Sequence, residues 1–335
     1  MKKEGNGIFS KIIKAIRIVV GLALLYFALK DTNWNDLKKA ILSADLTWLW
    51  LALGMVLAGT ALKIWRWFLL LDHFGLSKNL FSVSRAYLVG QAANILLPFR
   101  GGEIIRAGML VQGDVLLETS KIAGTIVIEK SLDLFALTAA TLAVLPYLKA
   151  VSNNAILKEL LFGCALVLAF LLLFMLVSFI YWPGIRRWLI NKPQRWISAV
   201  VEKGDQFIQS CSWVKDWKKV VPVIGLSLLI WGSMWLNNLP VFRSVHLSAD
   251  PGLGLFILVL VYIGLVPALT PGNIAPFYFF AQLGLVTFNV PSDEALAFAI
   301  LLHAVVTLPV LILGGISLLI NKQNRNSGWT VKESQ

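Results

Sequence analysis

Apolar runs separated by short polar stretches dominate the chain, and their lengths predict helices that cross a membrane. A helix of about 20 apolar residues spans the ~30 Å of bilayer hydrocarbon. Runs of that order fall at 12–29, 47–71, 121–148, 160–182, 220–241 and 295–320. Two further apolar stretches, 80–112 and 252–289, are each interrupted by helix-breaking residues. The first holds Pro98, Gly101 and Gly102; the second holds Pro271, Gly272 and Pro276. On the far side of the first break only 104–111 is apolar, too short to return across a bilayer. These stretches therefore predict two re-entrant hairpins beside six spans. Between the first two spans, Trp34, Leu37, Ile41 and Leu42 recur at helical spacing, which predicts a short interfacial helix.

The order of elements is repeated. Residues 1–152 read span, span, hairpin, span, and residues 153–335 read the same way. An odd number of crossings separates corresponding elements, so the halves are expected to be inverted, with one hairpin dipping from each face. The fold class is thus an all-α polytopic membrane protein. Paired Pro/Gly interruptions in two such halves point to a transport site.

Composition agrees with this class: 58% hydrophobic residues, 14% charged residues and a mean hydropathy of +0.75. A net charge of +12 raises nucleic acid as a partner. The basic residues, however, gather at the N-terminus (Lys2, Lys3, Lys11, Lys14, Arg17), in 183–219 and in the tail (Lys322, Arg325, Lys332). The 183–219 loop alone has eight of them, against Glu202, Asp205 and Asp216. Such asymmetry places both termini and this loop in the cytoplasm, with 30–46 and 243–251 outside. The partners it implies are membrane lipids with anionic or polar heads, not nucleic acid. The basic start leads into apolar sequence without a small-residue cleavage site and reads as a first span. Cys164 on a span and Cys211 in an inner loop predict no disulfide. Lys63 and Arg66, interleaved with Trp65 and Trp67, read as snorkelling cations at the inner interface.

Charge at membrane depth marks the candidate chemistry. Arg100, Glu103 and Arg106 stand beside the first break, Glu103 and Arg106 sharing a helix face. Guanidinium groups beside a helix N-terminus suit a phosphate. Glu129 and Asp133 lie four apart on one face of the third span, with Lys130 beside them. Either these groups bind substrate or they neutralise one another, Glu103 with Arg106 and Glu129 or Asp133 with Arg100 or Arg106. On the substrate reading, Arg100, Arg106, Glu129 and Asp133 line one electropositive cavity with Asn273, where the two breaks face each other. Asn94, Gln91, Asn273 and Gln282 are neutral groups on the broken segments, fit to bind heads or satisfy freed backbone. His303, a lone histidine within a span, reads as a packed, hydrogen-bonded residue. No metal-ligand spacing, nucleophile–base pair or GxxxxGK[ST] loop occurs, so no cofactor, metal or nucleotide is implied. The chain reads as transporter-like rather than enzymatic.

Asn94-x-x-x-Pro98-x-Arg100-Gly101-Gly102-Glu103-x-x-Arg106, followed by Glu129-Lys130-x-x-Asp133 and Pro271-Gly272-Asn273, resembles the flippase-like family. That family is named for the transmembrane region of lysylphosphatidylglycerol synthetases, and the resemblance covers nearly the whole chain. It implies handling or translocation of polar-headed lipids across the cytoplasmic membrane. The alternative is a membrane subunit or enzyme of lipid modification, acting on aminoacyl-phospholipids or polyprenyl-linked glycans. A third reading is a membrane partner that docks a lipid-modifying enzyme through 183–219. Relatives that synthesise lysylphosphatidylglycerol carry a soluble aminoacyl-transfer domain after the membrane part. This sequence ends shortly after its last apolar run, so the resemblance implies no synthase activity.

Overall fold

In the computed structural model the chain is helical, with no strand among the described residues. The structure describes residues 4–329 apart from 77, 98–100, 112–114, 152–154, 191–196, 199–200, 202–203, 206–207, 209–213 and 267–269. Pro98, Arg100 and Cys211 therefore lie outside the described residues.

In the first half are α1 (Glu4–Leu29), α2 (Trp34–Leu42), α3 (Leu46–His73), α4 (Leu80–Leu96), α5 (Gly102–Leu110) and α6 (Val115–Val151). In the second are α7 (Ala155–Ile180), α8 (Trp182–Ile190), α9 (Trp217–Leu236), α10 (Asn238–Ser244), α11 (Pro251–Leu265), α12 (Ile274–Val286) and α13 (Ser292–Trp329). A 3₁₀ turn at Pro271–Asn273 precedes α12. Polar side chains start several helices: Asp45, Asn79, Asp216 and Asp250 each accept a hydrogen bond from a first-turn backbone N–H.

Among the described residues, three stretches are long and apolar enough to cross a membrane: Leu46–His73, Trp217–Ser244 and Ser292–Ile320. They contain the predicted spans 47–71, 220–241 and 295–320. The predicted spans 12–29 and 121–148 fall within α1 and α6, and most of 160–182 within α7. On α7, Phe162, Leu166, Val167, Phe170, Leu173 and Phe174 are all exposed. So continuous an apolar surface requires lipid or protein against it.

Two helical hairpins lie between these long helices. Neither is long enough for two crossings: at 1.5 Å per residue α4 is about 26 Å and α5 about 14 Å, α11 about 22 Å and α12 about 20 Å. The first hairpin closes through glycine. A Cβ on Gly102 would collide with the carbonyl oxygen of Gly90, so backbone packs directly on backbone there. In the second, Gly272 at φ 68° and Asn273 at φ 53° turn the chain into α12, a left-handed conformation open to glycine and tolerated by asparagine.

The hairpins start from opposite ends of the bundle. At one end Lys78, just before α4, pairs with Glu118 at 3.2 Å. At the other, the Asp45 N–H donates to the Ser244 carbonyl at 2.9 Å, close to the start of α11. Helix α4 packs along α13, α11 packs along α6, and α3 packs along α9. Each hairpin thus leans on the last long helix of the other half. The largest core surrounds the second hairpin, where Phe256, Ile257 and Val259 of α11 are fully buried. There Phe242 and Phe298 stack with centroids 4.6 Å apart.

Candidate functional site

The charged residues of α3, α5 and α6 form two adjoining clusters. Arg106 is fully buried and reaches both hairpin and span. Its Nε lies 2.6 Å from Glu103 Oε2, and its Nη1 3.1 Å from Glu129 Oε2. The guanidinium lies 4.6 Å from the Trp67 ring centroid, a cation–π contact. Trp67 is held in turn by its indole N–H, which donates to Thr125 Oγ1 at 3.0 Å. Lys130 Nζ stands 3.2 Å from Glu103 and 3.6 Å from Glu129. Asn94 Nδ2 donates to Glu103 Oε1 at 3.2 Å, joining α4 to the same network. In the second cluster, Arg66 Nη1 and Nη2 both donate to Asp133 Oδ1 at 3.0 Å, and Nη1 also donates to Ser227 on α9. Arg66, Arg106 and Lys130 are thus matched by Glu103, Glu129 and Asp133. Buried charges persist when paired in this way, and breaking one pair strands its partner.

One turn of α3 away from Arg66 lies a cavity of about 230 Å³, far above the ~10–15 Å³ that one water needs. It opens where the hairpins meet: Gln91 and Ile95 of α4 and Gly272 and Asn273 of the second hairpin all line it. Lys63 and Thr60 of α3, Ser233 and Asn237 of the α9 end, and His303 and Thr307 of α13 supply further polar groups. Lys63 makes no ion pair among the described residues. Asn237 is buried and its Oδ1 has no hydrogen-bond partner. The His303 Nε2–H donates to the Gly272 carbonyl at 3.0 Å, which ties the turn of the second hairpin to α13. Counting residues, His303 lies about 16 Å along α13 from Ser292, and Lys63 about 15 Å along α3 from His73. Both sit well inside their helices.

This arrangement of hairpins, charge clusters and cavity coincides with a sequence match. Residues 14–314 match the family model described as lysylphosphatidylglycerol synthase TM region. The chain belongs to this family. No curated protein matches it. Membership makes it a membrane protein related to lipid modification or transport.

Among the predicted site residues of this lysylphosphatidylglycerol synthase TM region chain, Asn94, Glu103, Arg106, Glu129 and Lys130 come together in one network. Asp133 belongs to the adjoining cluster with Arg66. Of the residues expected to share the cavity, Asn273 lines it; Arg106, Glu129 and Asp133 are not among its lining. They are engaged with one another, because each carboxylate meets a guanidinium before it can reach the open space. Gln282 is turned elsewhere, its Nε2 donating to Ser292 Oγ at 2.7 Å. Gly101 and Gly102 begin α5, and Pro276 is buried in the first turn of α12.

The interfacial reading of Lys63 and Arg66 is overturned. Arg66 is 1% exposed, inside the bundle, and Lys63 faces the cavity. Their spacing of three residues was the available signal, since it puts both on one helix face. The flanking tryptophans masked it: Trp65 is exposed, whereas Trp67 is buried under Arg106. Among the described residues no three of His, Cys, Asp and Glu come together as metal ligands, and Cys164 is free.

Proposed function

We propose that the protein is a flippase-like lipid translocase, moving polar-headed lipids across the cytoplasmic membrane with both termini on the cytoplasmic side. The observation that carries this reading is the cavity where the two hairpins meet, mainly apolar but with Lys63, Gln91, Asn237, Asn273 and His303 in its lining. In hydrocarbon, bare helix ends are tolerated only inside protein or beside water. Re-entrant hairpins whose turns bring Gly272 and Asn273 to such a cavity give a head group a polar resting place, while acyl chains stay in lipid. The reciprocal packing of α4 on α13 and α11 on α6 supports inverted halves. Access could then alternate by rocking one half against the other. The neutralised network around Arg106 would hold the first hairpin to α6 during that movement.

The test uses the purified full-length protein in liposomes containing a fluorescent phospholipid, with a membrane-impermeant quencher added outside. Translocation exposes the inner-leaflet label, so the protected fraction should fall faster than in protein-free vesicles. Equal rates in both would end the translocase reading.

A further inference from the structure

Lys63 is the charged residue that the clusters leave over. Arg66, Arg106 and Lys130 are balanced by Glu103, Glu129 and Asp133. Lys63 has no ion pair among the described residues and faces the cavity instead. The described lining contains no Asp, Glu or Arg, so Lys63 is its one acidic or basic side chain besides His303 among those residues. Around it stand the side-chain amides of Gln91, Asn237 and Asn273, whose N–H groups can donate; the Thr60 and Ser233 hydroxyls donate to the Val56 and Ile230 carbonyls and present only lone pairs. An ammonium deep within a span is costly and marks a substrate or ion path by default. A compact point charge beside neutral donors is a site for an anion, and Lys is a common phosphate binder.

We infer that this cavity is an anion site in which Lys63 binds a phosphate-type group, so that it accepts lipids of net negative head charge over those with cationic heads. The inference rests on the translocase reading for its setting and narrows that reading to a substrate class. An aminoacylated head brings ammonium groups into a space whose fixed side-chain charge is positive, with no carboxylate in the described lining to receive them. A phosphatidylglycerol head brings one negative charge and hydroxyls, which match Lys63 and the surrounding amides.

The experiment has a binding arm and a transport arm, both on the full-length protein. In detergent, short-chain phosphatidylglycerol is titrated against wild type, Lys63→Met and Lys63→Arg, with thermal unfolding as the readout. Inorganic phosphate and glycerol phosphate are titrated in parallel. Phosphatidylglycerol should stabilise wild type and Lys63→Arg, and bind Lys63→Met at least tenfold more weakly. Stabilisation by inorganic phosphate at equal or lower concentration would identify a free anion as the ligand and overturn the lipid assignment. The apparent melting temperature of unliganded Lys63→Met should equal or exceed that of wild type, which separates lost binding from lost folding. In liposomes, labelled phosphatidylglycerol should cross at least tenfold faster than its lysyl ester in wild type, and Lys63→Met should abolish the difference. Failure of wild type to move any lipid, with binding intact, would refute the translocase reading and leave the anion site standing. Equal binding by wild type and Lys63→Met, or faster movement of the lysyl ester, would overturn the inference.

Discussion

Replacing Arg106 with methionine removes the charge that links α5 to α6 while keeping most of the apolar side-chain volume. The arginine is fully buried, and its strongest partner, Glu129, is 3% exposed. Breaking one side of a buried ion pair costs about 3–5 kcal/mol, because the remaining charge is left unpaired in a low-dielectric site. The lost cation–π contact with Trp67 at 4.6 Å adds to this, by ~0.5–2 kcal/mol. Lys130 stays 3.6 Å from Glu129 and compensates in part, so the lower end, about 3 kcal/mol, is expected. The double variant Arg106→Met/Glu129→Gln leaves no buried carboxylate at that position. It should be less destabilised than the sum of the single changes by about 1–2 kcal/mol, the coupling expected of residues in direct contact. The assay is reversible unfolding in mixed micelles by rising SDS fraction, followed by tryptophan fluorescence. A single-variant loss below about 1 kcal/mol, or strict additivity in the double variant, would refute the pairing as a stabilising element.

Gly102→Ala should weaken the first hairpin by roughly 1–3 kcal/mol in the same assay, since the new methyl meets backbone that cannot step aside. Gly108→Ala on the same helix has nothing within 4 Å of its Cβ and should be neutral or slightly stabilising. Hydrogen bonds from Trp182 and Arg186 hold the Asp205 carboxyl below its ordinary range. A carboxylate depressed in this way stabilises its contact above the unfolded pKa of about 3.9 and loses that effect as pH falls through the folded value. Fluorescence of Trp182, isolated by subtracting Trp182→Phe, should therefore be flat from pH 5 to 8 and change only below about pH 4; a transition centred near pH 6–7 would contradict it. In a background lacking Cys164 and Cys211, Ser248→Cys should react with an impermeant thiol reagent in intact cells and Lys215→Cys should not; the reverse would invert the topology.

Most of the helical layout was legible because apolar length and helix breakers act locally. The stops at Leu96 and Leu265 follow from proline and glycine nearby, and no tertiary knowledge is needed to see them. The charged network was half legible. Glu103 and Arg106 share a face of one helix, and that spacing survives in the structure as a 2.6 Å ion pair. Arg66 and Asp133 are 67 residues apart, so their pairing depends on how α3 and α6 pack. The cavity was least legible. Its lining draws on α3, α4, α9 to α13 and the second turn, and no periodicity announces which faces converge. Lys63 illustrates the limit: the aromatic neighbours that suggest an interface belong to other faces of the same helix. Asn237 is buried beside the cavity because α9 ends there and α10 begins at once.

Joining the two hairpins across their common space asks most directly whether lipid passes through it. Gln91 and Asn273 line the cavity from opposite hairpins, and both are replaced by cysteine in a background without Cys164 and Cys211. A short, reducible bifunctional thiol reagent then ties α4 to the turn before α12. In liposomes the linked protein should move labelled phospholipid no faster than protein-free vesicles, and reduction should restore the unlinked rate. Unchanged movement after complete cross-linking would contradict passage through the cavity.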